Sequence, residues 1–187
     1  MEEATKSYIE SIINDYEADL KIAQIPLEEQ VHEYSCLETI KYQTPEIHLA
    51  AVKQFGLQLE FIEEQKPEIV LAALNNYGCA LKFVKEQTYA NILVAVKNNG
   101  LALRFAKRQK HTHCLAAVKE NGYALLYVNK QTRNICIAAI QQEKDSFQYI
   151  RDPNMKLQLI LELFNKYKHL DYTSHEIQFC IARMKEL

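Results

Sequence analysis

Four glycines occur in 187 residues, and each follows the last by 22: Gly56, Gly78, Gly100 and Gly122. Self-similarity at a fixed period constrains the fold more than any local propensity, because every element then recurs in register. Cut at this spacing, residues 45–153 fall into five aligned units. The second, residues 67–88, reads PEIVLAALNNYGCALKFVKEQT, and the third, residues 89–110, reads YANILVAVKNNGLALRFAKRQK. A worn unit precedes them at 23–44.

The columns have helical spacing. Position 5 is Leu49, Leu71, Leu93, Leu115 and Ile137, and position 8 is Val52, Leu74, Val96, Val118 and Ile140. With positions 4 and 11 they form a stripe at i, i+1, i+4 and i+7, one face of an α-helix. Position 7 is alanine in every unit (Ala51, Ala73, Ala95, Ala117, Ala139), which suggests a neighbouring helix too close for a larger side chain. After the glycine, positions 15, 17 and 18 are apolar, as in Leu81, Phe83 and Val84, and predict a second short helix of about eight residues carrying core aromatics. Thr44-Pro45-Glu46 supplies a hydroxyl cap, a proline at the first helical position and an early acid. The glycines then read as turn residues between the helices, entering the left-handed region where a β-carbon is costly. Helices this short are marginal alone and exist by stacking. The expected fold is an all-α solenoid of helix–Gly–helix hairpins, one domain over 1–187. A cap helix lies in 1–22, the degenerate repeat at 23–44, the five repeats at 45–153 and cap helices at 154–187, the last begun by Ser174.

Position 21 is Gln43, Gln65, Gln87, Gln109 and Gln131. Such a ladder could read a ligand, but a side-chain amide at a repeat boundary more naturally satisfies open backbone groups. Four glycines and four prolines are few for a strand protein, which consumes both in turns. The five cysteines (Cys36, Cys79, Cys114, Cys136, Cys180) are odd in number and lack a CxxC, so they read as free thiols of a reducing compartment. The opening MEEATKSYIE is acidic and polar and does not read as a signal peptide, and no apolar run reaches membrane length. A cytoplasmic location is expected, in the cell that makes the protein or in a host that receives it.

The string A-V-x-x-x-G-x-A-L-x-x-V, as in Ala95-Val96, Gly100 and Ala102-Leu103, resembles an uncharacterised α-helical repeat family. That family carries only a domain-of-unknown-function label and is known mainly from intracellular bacteria, giant viruses and protists. The likeness covers 45–132 well, 133–153 in part and 23–44 weakly. It implies an interaction role of the effector-like kind and supplies no catalytic residues.

The sequence contains no GxGxxG, P-loop, HExxH or GxSxG string, so the expectation is a non-enzyme without cofactors. His111, His113 and Cys114 form the one cluster with metal-ligand types, with Cys136 one repeat away. The column of the two cysteines is otherwise His48, Val70 and Ile92, so small buried thiols and exposed first-turn histidines are the plainer reading, and a metal-binding or thiol enzyme ranks last. Charge says more. Residues 1–66 hold 14 acids and 5 bases, residues 67–133 hold 3 acids and 10 bases, and the rest are balanced. Positions 16, 19 and 20 read Glu60, Glu63, Glu64, then Lys82, Lys85, Glu86, then Arg104, Lys107, Arg108. With Lys110 these bases form a candidate surface for an acidic protein partner. A solvated face is the bland alternative and nucleic acid the other, disfavoured by the expected burial of the position-17 aromatics. The expected function is a protein–protein interaction module: scaffold, adaptor or effector-like.

Overall fold

The computed structural model describes residue 37, residues 44–167 and residues 175–185. The expected N-terminal cap, Gln43, Cys36, Ser174 and all but two residues of the degenerate repeat lie outside these. The described chain is an all-α solenoid. Each unit is a ten-residue α-helix followed by a six-residue 3-10 helix. The α-helices are α1 (Pro45–Gln54), α2 (Pro67–Asn76), α3 (Tyr89–Asn98), α4 (His111–Glu120) and α5 (Arg133–Gln142). The 3-10 helices are η1 (Gly56–Phe61), η2 (Gly78–Phe83), η3 (Gly100–Phe105), η4 (Gly122–Tyr127) and η5 (Lys144–Tyr149). Two longer helices follow, α6 (Pro153–Tyr167) and α7 (His175–Lys185), which pack on each other. Consecutive α-helices pack side by side, consecutive 3-10 helices do the same, and the core lies between the two layers.

The second helix is 3-10, not the α-helix the apolar spacing suggests. Six residues at the 3-10 rise span about 12 Å, against about 9 Å as α-helix, which better matches the ~15 Å of the ten-residue α-helix it runs beside. Three residues per turn also align positions 12, 15 and 18. Gly78, Leu81 and Val84 are accordingly all buried. Position 17 points off this line, so Phe61, Phe83, Phe105, Tyr127 and Tyr149 are only half-buried. That corrects their expected place in the core. On the α-helices the buried face runs through positions 3, 4, 7 and 8, as in Ile69, Val70, Ala73 and Leu74. Position 5 is not buried, and position 11 is an extended residue between the helices.

The glycines hold no left-handed conformation: none has positive φ. They are required by a close approach instead. A β-carbon on Gly122 would lie 2.7 Å from the Ala139 carbonyl oxygen, and at Gly56, Gly78 and Gly100 one would come still nearer the carbonyls of Ala73, Ala95 and Ala117. The glycine column of each unit is thus pressed against the alanine column of the next.

The array changes at its C-terminal end. Lys144 stands at the glycine position, and α6 places Leu159 at its seventh residue, where the helices of the repeats have alanine. The backbones of α5 and α6 do not approach as those of the repeats do. A groove of about 210 Å³ lined by Ile137, Ile140, Leu159 and Leu163 lies between them. Arg133 bridges it by an ion pair to Glu162. At the other end Leu37, at position 15 of the degenerate unit, is buried, and its N–H donates to Gln58 Oε1 at 2.8 Å.

Candidate functional site: the charged column and its supports

The glutamine ladder joins units through the backbone. Gln87 Nε2 donates to the Leu81 carbonyl of its own unit at 3.0 Å and to the Phe105 carbonyl of the next at 3.0 Å. Its Oε1 accepts the Lys107 N–H at 2.9 Å. Gln65, Gln109 and Gln131 repeat the pattern. Both amide hydrogens and the carbonyl are used within the fold.

A second ladder escaped the reading of the sequence. Asn76 Oδ1 accepts the Gly56 N–H at 2.7 Å while its Nδ2 donates to the Lys53 carbonyl at 2.8 Å. Asn98 does the same for Gly78 and the Asn75 carbonyl, at 2.6 and 2.8 Å. The signal was present: asparagine two residues before the glycine position in both NNYG and NNG.

These ladders hold the charged columns in register. Lys85 Nζ donates to the Glu63 carbonyl at 2.6 Å, and Lys107 Nζ to the Lys85 carbonyl at 3.0 Å. Arg151 continues the column onto the Asn129 carbonyl at 3.4 Å. Lys82 and Arg104 lie over the neighbouring rings of Phe83 and Phe105, at 5.0 and 4.4 Å from the centroids. Lys110 lies 5.2 Å from the centre of Tyr89, and Arg108 is exposed. All six bases are exposed, Lys82 and Arg104 on the 3-10 helices, Lys85, Lys107 and Arg108 in the segments that follow them and Lys110 at the start of α4, and two of them also serve the backbone.

His113 is 1% exposed, with both ring nitrogens engaged. Nδ1 accepts the Lys110 N–H at 3.3 Å, which leaves Nε2 to donate to the Tyr89 carbonyl at 3.2 Å. The ring also packs on Tyr89, centroids 4.5 Å apart. Burial pulls its pKa below the usual histidine range, and does the same for half-buried His48. Cys114 donates weakly to Gln109 Oε1 at 3.6 Å, and burial raises its thiol pKa. Burial pushes Cys136 up to about 11 and raises Cys180. His111 is exposed on the first turn of α4. Among the described residues no three His, Cys, Asp or Glu groups are placed to hold a metal. No helix among them is long and apolar enough to cross a membrane.

Fold and ladders together define an all-α repeat solenoid with a sign-changing charged edge. Residues 114–156, about two units from α4 into α6, match the family model described as Domain of unknown function (DUF4116). No curated protein and no solved structure matches the chain.

Proposed function

We propose that this chain is a non-catalytic protein–protein interaction module whose contact surface is the basic edge formed by Lys82, Lys85, Arg104, Lys107, Arg108 and Lys110. The observation that supports it most is the exposure of all six bases, with Gln65, Gln87 and Gln109 ordering the backbone beside them. A rigid, like-charged edge steers and orients an acidic partner. The unit pattern resembles repeats of host-associated microbes and viruses, so an adaptor or effector-like role in a reducing cytosol fits the reading. Reversing Arg104, Lys107 and Arg108 to Glu is expected to abolish capture of an acidic partner from lysate with helical circular dichroism unchanged. Capture that survives would remove this surface.

Nucleic acid is a second reading, supported by the half-exposed rings of Phe83 and Phe105 beside Lys82 and Arg104. Aromatic platforms within a basic groove bind single strands by stacking and phosphate neutralisation. It predicts a mobility shift of a random oligonucleotide at low salt that weakens steeply as salt rises. Absence of any shift at low salt would end it.

A further inference from the structure

Successive units stack in register: the Lys85 ammonium reaches the Glu63 backbone carbonyl one unit back, and the Lys107 ammonium the Lys85 carbonyl. Along this stack the same three positions invert in sign about unit two: Glu60, Glu63 and Glu64 on one side, Arg104, Lys107 and Arg108 on the other. All six are exposed, and among the described residues none is in an ion pair. Unit two, between them, is mixed, with Lys82, Lys85 and Glu86. Units one and three of such an edge are complementary to each other. A two-fold axis lying in the surface along η2 reverses the order of units but keeps position along the helix. Unit one of one copy then faces unit three of the other, each column meets its own kind, and the repeat period makes the two separations equal. Unit two lies on the axis and sets Lys82, Lys85 and Glu86 opposite their own copies, a like-charge cost that the six outer pairs must exceed.

We propose that the charged edge pairs with a second copy of this chain across a two-fold axis at unit two, matching Glu60 with Arg104, Glu63 with Lys107 and Glu64 with Arg108, each pair formed twice. The proposal rests on the reading of this edge as a contact surface and names its partner. A closed two-fold contact is self-limiting, so the product is a dimer and not a filament. Isolated surface ion pairs contribute little, but six in register with matched potentials set orientation and association rate. The contact is therefore salt-labile.

Sedimentation velocity of the full chain tests it. A dimer is expected at ~0.01 M salt, where screening extends about 30 Å, and a monomer at ~1 M, where it falls to about 3 Å. The variant with Arg104, Lys107 and Arg108 changed to Glu is expected to be monomeric at low salt. So is the variant with Glu60, Glu63 and Glu64 changed to Lys. Both keep the wild-type circular dichroism, because the positions are exposed. Equal amounts of the two variants are expected to form a one-to-one heterodimer, since every reversed charge then meets its complement. Wild type that is monomeric at low salt overturns the proposal. So does a dimer indifferent to either reversal, or a mixture that stays monomeric or grows beyond two chains. A monomeric wild type whose capture of another acidic protein still needs Arg104, Lys107 and Arg108 would sink the dimer and keep the contact surface. A dimer with no other partner would keep both the dimer and the contact surface and remove only a separate acidic partner.

Discussion

The junctions between units one and five differ from the junction between unit five and α6, and the contrast explains the glycine spacing. Inside the array a glycine of one unit meets an alanine carbonyl of the next, and both residues must be small at the backbone for the layers to close. At the end Leu159 replaces the alanine, α6 stands off from α5, and the residue opposite carries the full side chain of Lys144. Small residues are therefore demanded by close packing between units and not by the turn that each glycine opens. The same turn is made at Lys144, after the extended residue Glu143, with no positive φ.

The sharpest way to break this comparison is to add one methyl group on each side of it. Gly100→Ala is expected to cost about 3 kcal/mol, because the new Cβ meets the backbone of Ala117 and Asn121, atoms that cannot swing away. Lys144→Ala is expected to stay within about 0.5 kcal/mol. Urea denaturation of both variants decides the matter, and equal losses would end the close-approach account. Next in size is Gln109→Ala, expected to cost about 2 kcal/mol, since it strands the Tyr127 carbonyl and the Asn129 N–H across a unit boundary. A loss below 0.5 kcal/mol, on the ordinary surface scale, would show that the ladder is ornamental.

The smallest effect concerns position 3, isoleucine in unit five (Ile135) and histidine in unit four (His113). The native pKa of His113 is depressed, so below about 6.5 the unfolded chain binds a proton that the folded chain resists. Stability from this group is full above that pH and is lost as pH falls towards the native value. His113→Ile, borrowing the unit-five residue, is expected to flatten the decline in thermal midpoint between pH 7 and 5, with His48 keeping a remainder. An unchanged decline would assign the acid sensitivity elsewhere.

Much of the architecture was legible in the linear chain because a solenoid repeats its contacts at one interval. Leu81 and Leu103 share a column and are both fully buried. What escaped was whatever depends on contacts between units. Phe83 and Phe105 looked like core residues at α-helical spacing, yet a 3-10 period turns them half outward under Lys82 and Arg104. Asn76 and Asn98 carried no role in the linear pattern, and their amides clamp the preceding unit. Lys85 and Lys107 looked like free surface charge, and their ammonium groups also rest on carbonyls.

The sequence alone determined the period, the helical class and the change of charge sign along the array, because each is a property of residue types in register. Only the tertiary structure decided why the glycines are there. The partner of Gly56 is the carbonyl of Ala73, and residue types cannot announce a contact made by the backbone of the next unit.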